Sequence, residues 1–196
     1  MRSADVDARA LARLTRRLPV LVALVLVAVG CSARERTLDR SSISPEEHTM
    51  LLESDAFQEG GGIPTPYTCD GTNISPQLSW FGVPEDAIEL ALVLHDPDAP
   101  GGDFLHWVVF GIDPAQTGVE LNKVASGATL AQNGFGVTQY RGPCPPVGDP
   151  PHRYVFTLSA LRGRLSFSEG APGDDVRSAL APLVLDEATL TGTFGR

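Results

Sequence analysis

Basic residues are scarce in this chain of 196 residues. Its 15 Lys and Arg face 24 Asp and Glu, which gives a formal net charge of -9. Residues 1–30 hold five of the basic and two of the acidic residues, so the remainder is more acidic still, with a net charge of -12. Because nucleic-acid binding depends on cations that neutralise phosphates, this balance argues against a nucleic-acid-binding protein.

Low complexity and long apolar runs are lacking too. The 20 Gly and 16 Pro make up about 18% of the chain, below the share that signals a low-complexity sequence. No internal repeat is visible. Hydrophobic residues account for 42% of the chain, which is enough for one core and hardly two. The composition therefore predicts one compact domain.

The most apolar run, residues 20–29, is too short to span a bilayer as a mature helix. The run is preceded by arginines at 9, 13, 16 and 17 and followed by a small residue and a cysteine, which is typical of an export signal. The string Ala28-Val29-Gly30-Cys31 resembles a bacterial lipobox, in which the signal peptidase cuts before a lipid-bearing cysteine. We therefore expect residues 1–30 to be a lipoprotein signal peptide and Cys31 to anchor the protein on the extracytoplasmic side of the cell membrane. Plain secretion and an uncleaved anchor are the alternatives.

A polar segment without sustained periodicity follows the export signal. Residues 31–55 are rich in charged and hydroxyl side chains, which predicts a flexible tether that lifts the domain off the membrane. The folded domain is then expected to occupy residues 56–196.

The three cysteines are Cys31, Cys69 and Cys144. If Cys31 carries the lipid, the other two form an even pair in an oxidising compartment, and a single disulfide is the simplest hypothesis. Such a bond would stabilise the fold by roughly 4 kcal/mol in the chain-entropy model. Two separate buried thiols are the alternative.

Strand patterns dominate from Ala56 onward. The predicted strands are residues 77–81, 88–94, 105–112, 154–161 and 188–194. Residues 174–184 begin with an Asp cap and show helical spacing, but Pro182 should kink or end that helix. The balance predicts a mainly β protein with one or two short helices, hence a sandwich rather than a βαβ fold.

Titratable side chains cluster at the ends and faces of the predicted strands. They are His95, Asp96, Asp98, His106, His152 and Arg153. Because loops held by a rigid sheet are where binding groups usually lie, their convergence would form a small polar pocket. Each residue also has a structural alternative: Asp96 and Asp98 as turn formers, His106 as a core histidine, and Arg153 as an ion-pair partner.

The stretch of residues 140–153 has five prolines and two glycines, which predicts a stiff loop with free backbone donors that suits an anion. A phosphate or sulfate could be held by His152, a glycine amide and Tyr154, while Asp96 and His106 bind a cationic or hydroxyl portion of the ligand. A metal site is the alternative. Its ligands would be His95, Asp96, His106 and His152, but their spacing matches no compact metal motif.

Three motifs carry a resemblance to a known family. They are DPDAP at residues 96–100, LHWVVF at 105–110, and GPCPP at 142–146 followed by His152-Arg153-Tyr154. In order and spacing they resemble the phosphatidylethanolamine-binding protein family, in its bacterial branch similar to the Raf kinase inhibitor protein. The resemblance extends from about Ala56 through the GATLAQNGFG segment at 127–136 to the terminal GTFGR.

This resemblance implies a two-sheet antiparallel Greek-key β-sandwich with a small anion pocket at one end. Carried over by position, the ligand-binding residues are Asp96, His106, Gly142, Pro143, Pro145, Pro146, His152 and Tyr154. Asp98 and Arg153 are expected to brace the loops, and Asp70 to lie at the rim. The chain departs from the pattern at residues 149–151, where Asp-Pro-Pro lengthens the approach to His152.

Non-enzymatic binding is the leading functional hypothesis, with a phospholipid headgroup or another small phosphorylated or anionic ligand. No motif for a nucleophile or a P-loop is present in the sequence, and no cofactor or metal is expected. Two alternatives stay open. The resemblance also allows an inhibitor or regulator of an exported protease or kinase, and the residues themselves allow a weak hydrolase that uses Asp96 and His106 as acid and base. A protein partner and a homodimer are compatible with each of these.

Overall fold

The computed structural model describes residues 49–196. The predicted signal peptide, the predicted lipidation site Cys31 and most of the predicted tether lie outside the described residues. Within the described part of the chain, no helix is both long and apolar enough to cross a membrane.

Eight strands occur in residues 49–196. They are β1 (Leu51–Glu53), β2 (Leu78–Phe81), β3 (Glu89–Asp96), β4 (Phe104–Ile112), β5 (Gly118–Val119), β6 (Thr129–Leu130), β7 (His152–Leu161) and β8 (Val184–Phe194). The smaller sheet has the order β1-β2-β5 and the larger one β6-β4-β3-β7-β8, with antiparallel pairing throughout. After β4 the chain does not continue along the same edge: β7 pairs with β3, on the side of β3 opposite to β4. This long return connection is typical of a Greek key. The prediction of a mainly β, two-sheet antiparallel sandwich is confirmed.

The helical segment is shorter than its sequence pattern predicts. Helix α1 covers Gly173–Leu180, a 3-10 turn covers Ala181–Leu183, and β8 starts at Val184. Pro182 lies in the 3-10 turn, where it donates no backbone hydrogen bond and so cannot continue an α-helix. The chain therefore enters β8 four residues earlier than the predicted strand at 188–194.

The predicted tether at residues 31–55 extends too far. Leu51–Glu53 form β1, which pairs with β2, and Met50 and Leu52 are buried in the core. A three-residue strand is too short for its alternation to stand out against a polar segment, which is why the sequence places the start of the domain at Ala56.

Apolar layers cover both faces of the larger sheet. Trp107 and Val109 of β4 point between the two sheets, where they join Trp80 of the smaller sheet. Val108 and Phe110 point to the other face, where they pack in the same cluster as Val176 and Leu180 of α1. Because the strand is buried on both sides, it reads as a continuous apolar run rather than an alternating one.

A β-bulge interrupts the pairing of β3 with β4 at His106. Leu94 is paired with Trp107, whereas the next residue, His95, is paired with Leu105. His106 is therefore the extra residue on β4. Because a bulge redirects the side chain it carries, His106 departs from the alternation of its strand near the end of β3.

Candidate functional site

The end of β3 meets the starts of both neighbouring strands. β3 runs antiparallel to β4 and to β7, so Asp96 at its end lies beside Phe104 and His152, which open those strands. A cavity of about 200 Å³ occupies this place. Its lining residues are Asp96, Ala99, Pro100, Phe104, His106, Phe135, Cys144, Pro145, Pro146 and His152.

Three buried titratable side chains distinguish this cavity from other depressions of the surface. Asp96, His106 and His152 are each no more than 5% exposed. Grooves of about 460, 660 and 710 Å³ occur elsewhere on the described residues, but none of these three side chains lines them. Since charged and imidazole groups are rarely buried without a role, the small cavity is the candidate site.

Asp96 and His152 form a buried hydrogen-bonded pair. The Nδ1 atom of His152 lies 2.9 Å from Oδ2 of Asp96, and Oδ1 of Asp96 accepts the backbone N–H of Asp98 at 2.9 Å. A carboxylate only accepts hydrogen bonds, so Nδ1 is the protonated nitrogen of His152. The Nε2 atom of the same ring lies 3.9 Å from Oδ2 of Asp149.

His106 is held by a backbone carbonyl. Its Nδ1 lies 2.7 Å from the carbonyl oxygen of Arg141. A carbonyl accepts hydrogen bonds, so Nδ1 carries the hydrogen, and Nε2 has only a lone pair when the ring is neutral. Burial lowers the pKa of His106 below its usual value, although the Arg141 carbonyl opposes this. The neutral ring is therefore favoured near pH 7.

Aromatic rings form the apolar wall around His106. Its ring makes edge contacts with Phe104, Phe135 and Tyr154, at centroid distances of 5.4, 5.5 and 5.3 Å. Sequence reasoning missed Phe104 and Phe135 as lining residues. Phe135 lies in the GATLAQNGFG segment of the resemblance, and that was the available signal.

Asn133 organises the turn that presents Phe135. Its side-chain amide donates to the carbonyls of His106, at 3.1 Å, and Gln139, at 2.8 Å. Its side-chain oxygen accepts the backbone N–H groups of Phe135 and Val137. The turn is thereby fixed to β4, so the Phe135 ring is held against the cavity.

A disulfide joins Cys69 to Cys144, which lines the cavity. The same two segments are also joined by backbone, because the N–H of Cys69 donates to the carbonyl of Pro143 at 3.0 Å. The hydroxyl of Tyr140 donates to the carbonyl of Tyr67 at 2.7 Å. The proline-rich rim is therefore fastened to the turn that follows residue 65.

Gly142 does not provide the free amide that the sequence suggested. Its N–H donates to the side-chain oxygen of Asn73 at 2.7 Å. A Cβ atom on Gly142 would lie 2.0 Å from the carbonyl oxygen of Tyr67, so glycine is required here by close backbone approach. Gly142 and Pro143 are both buried and neither lines the cavity. In this structure they support the rim.

Asp98 and Arg153 lie beside the cavity and connect its loops. The guanidinium of Arg153 donates to both oxygens of Asp98, at 2.9 and 2.7 Å, and the backbone N–H of Arg153 adds a third bond at 2.9 Å. This pairing lowers the pKa of Asp98 to about 2. The DPDAP turn is thus fixed to the start of β7.

Asp70 does not line the cavity either. One of its oxygens lies 3.3 Å from the guanidinium of Arg196, whose Nε donates to the carbonyl of Pro145 at 2.8 Å. Asp70 therefore supports the rim through Arg196, a residue that sequence reasoning did not single out.

Tyr154 lies behind the cavity wall, completely buried. Its hydroxyl makes no hydrogen bond of ordinary geometry, although the carboxylate of Asp96 and the backbone of Cys144 are near enough to influence its pKa. Burial is the main cause that raises this pKa above its usual value. A ligand contact by Tyr154 would need the wall to open.

His95 does not join the other two histidines. It lines a different groove together with Arg177, and its Nδ1 pairs with Asp103. The alternative metal site, which required His95 with Asp96, is therefore not assembled. In residues 49–196, no group of three or more His, Cys, Asp or Glu side chains is placed to hold a metal ion.

Comparison with known proteins extends the likeness to nearly all of the described residues. Residues 53–195 match the profile of the family described as phosphatidylethanolamine-binding protein. A "UPF0098 protein" of Methanothermobacter thermautotrophicus is 47% identical over 152 residues, which are 75% of this chain and 99% of the relative. A Mycobacterium tuberculosis protein named "Putative lipoprotein LppC" is 38% identical over 158 residues, 81% of this chain and 78% of its own.

A solved structure shares the fold as well. YbcL of E. coli, described as a new member of the mammalian PEBP family, superimposes with a TM-score of 0.72 at 30% identity. The similarity covers 75% of this chain and 98% of YbcL. The architecture and the sequence motifs thus point to the same family.

Proposed function

We propose that this chain, which belongs to the phosphatidylethanolamine-binding protein family, is a non-enzymatic binding protein. Membership of this family implies ligand binding in general. The ligand of this chain is a phospholipid headgroup or another small phosphorylated molecule, taken up by the cavity at the end of β3. One observation carries the proposal: a cavity of about 200 Å³ brings together a buried carboxylate and two buried imidazoles.

The size and lining of the cavity favour a small polar group over a whole lipid. Pockets for drug-sized ligands measure roughly 300–1,000 Å³, so about 200 Å³ suits a headgroup or a phosphate ester. The imidazoles can donate hydrogen bonds to an anion when they are protonated. The rings of Phe104 and Phe135 offer apolar contact to the carbon atoms beside the phosphoryl group.

The lining also favours binding over catalysis. No serine, threonine or free thiol lines the cavity, since Cys144 is in a disulfide. The Nδ1 atoms of His106 and His152 are occupied by a carbonyl and a carboxylate. Nucleophilic catalysis needs a nucleophile within hydrogen-bond reach of a base, and this cavity offers none.

An NMR titration of the full chain in a mild detergent tests the binding proposal. The probes are inorganic phosphate, phosphoethanolamine and a short-chain phosphatidylethanolamine. We expect saturable shifts confined to the cavity segments, and their loss in His106→Ala and His152→Ala. His95→Ala is the matched control, because His95 lines another groove. Absence of saturable shifts with all three probes would refute the proposal.

The place of action that we propose is the extracytoplasmic face of the bacterial cell membrane, through a lipid on Cys31. Two observations support it: the lipobox-like string at residues 28–31, and the similarity to a mycobacterial protein that is named a putative lipoprotein. Replacing Cys31 with serine is expected to move the chain from the membrane fraction to the soluble fraction. The neighbouring Ser32→Ala change should leave it in the membrane fraction. Equal fractionation of both variants would contradict the anchor.

A further inference from the structure

A groove of about 460 Å³ lies on the face of the larger sheet that packs against α1, and we call it the α1 groove. Val93 of β3 and Thr157 of β7, which are paired in register, line it from the sheet, and Leu180 lines it from the helix. Among the described residues, none lines both this groove and the cavity at the end of β3. Its volume is within the range of small-ligand pockets, roughly 300–1,000 Å³.

One end of the α1 groove carries a guanidinium group that is held in place. The Nη1 atom of Arg177 lies 2.5 Å from one oxygen of Asp103, and Nδ1 of His95 lies 2.5 Å from the other. His95 and Arg177 line the groove, whereas Asp103 does not, so Asp103 positions both side chains without contacting a ligand. A guanidinium has more N–H groups than the bonds of Arg177 to Asp103 and Asp174 use. This end can therefore donate hydrogen bonds to an anionic group.

The other end carries a carboxylate without a cation. The hydroxyl of Ser159, which is only 1% exposed, donates to Oε1 of Glu187 at 2.6 Å. In residues 49–196, no Lys, Arg or His lies within ion-pair distance of Glu187. Its Oε2 atom retains the capacity to accept a hydrogen bond. A carboxylate that is oriented by a buried hydroxyl but has no cation is suited to bind an ammonium group.

The register of the sheet sets the distance between the two ends. His95 is paired with Val155, which is paired with Thr191, and Glu187 lies further along β8, opposite Ser159. The two positions are thus separated by roughly 13 Å along the strands and roughly 10 Å across them, and the side chains shorten this gap. A free amino acid has both charges on one carbon atom and cannot bridge it. An extended peptide of about three residues spans roughly 10 Å.

We propose that the α1 groove binds a short zwitterionic peptide of about three residues. Its terminal carboxylate pairs with Arg177 and its terminal ammonium with Glu187, so charge complementarity at both ends selects it. Val93 and Leu180 offer apolar contact to the middle of the peptide. The groove is separate from the cavity, so this inference goes beyond the proposed function and does not depend on it.

An NMR titration of the full chain in a mild detergent with tri-alanine tests the inference. We expect saturable shifts at the backbone amides of the β3 and β7 residues that line the α1 groove. N-acetyl-tri-alanine and tri-alanine amide each lack one terminal charge. Both should bind about fivefold more weakly, since ion pairs that are partly exposed to solvent have effects of this order. These comparisons need no variant, so they do not depend on the folding of one.

Variants then assign the ammonium end. Glu187→Gln should weaken binding of tri-alanine about fivefold and leave binding of N-acetyl-tri-alanine unchanged, because the acetylated peptide has no ammonium group to lose. Glu53→Gln is the matched control, since Glu53 lines another groove, and it should keep both affinities. Equal affinities of the three peptides, shifts confined to the cavity at the end of β3, or the absence of saturable shifts would each overturn the inference. The proposed function would stand in every one of these cases.

Discussion

Two buried tyrosines differ in what their hydroxyl groups contribute. The Tyr140 hydroxyl donates to the carbonyl of Tyr67, whereas that of Tyr154 is buried without a hydrogen bond of ordinary geometry. A buried bond contributes about 1 kcal/mol, and an unsatisfied group has a cost of similar size. Tyr140→Phe should therefore lower the free energy of unfolding by about 1 kcal/mol, and Tyr154→Phe should leave it unchanged or raise it.

Urea unfolding of the two variants beside the unmodified chain measures this difference. The substitutions are identical in chemistry, so each serves as the control of the other. A loss of stability in Tyr154→Phe equal to that in Tyr140→Phe would show that the Tyr154 hydroxyl has a partner in solution.

At the level of single residues, the sequence identifies the groups of the site better than their contacts. Asp96, His106 and His152 stand out because titratable side chains are unusual beside apolar strands, and the structure brings all three to one cavity. Gly142 looked like a free donor because its partner, Asn73, lies 69 positions earlier in the chain. Such an occupied hydrogen bond depends on tertiary contacts that no local pattern records.

At the level of elements, long buried strands were predictable and short ones were not. β3, β4 and β7 have apolar runs with clear ends, and they carry the cavity. β1, β5 and β6 contain two or three residues each, so they exist only through pairing with a neighbouring strand. The sequence pattern has no period to show over so short a length.

The bulge at His106 also lies beyond the reach of a sequence pattern. Both faces of β4 are apolar, so an extra residue leaves no visible break in the run LHWVVF. The bulge is visible only in the two strand pairs on either side of it, Leu94 with Trp107 and His95 with Leu105. The strand that carries His106 was therefore predicted from the sequence, but the bulge that redirects the His106 side chain was not.

At the scale of the whole molecule, one disulfide links the turn after residue 65 to the rim of the cavity. Cys69 and Cys144 are 75 residues apart, and β2 to β6 lie between them. A crosslink over such a distance restricts the unfolded chain far more than the folded one, by about 4 kcal/mol in the chain-entropy model. A large part of the stability of the fold therefore depends on this disulfide, which persists only under oxidising conditions.

Reduction of this disulfide should accordingly destabilise the whole domain rather than the rim alone. We expect a thiol-free reductant to lower the free energy of unfolding in urea by about 4 kcal/mol, because the freed chain gains entropy when it unfolds. The double variant Cys69→Ala, Cys144→Ala is the control: it should start at the lower stability and show no response to the reductant. An unchanged urea midpoint on reduction would contradict this expectation, and would indicate that residual structure in the unfolded ensemble already keeps the two segments close together.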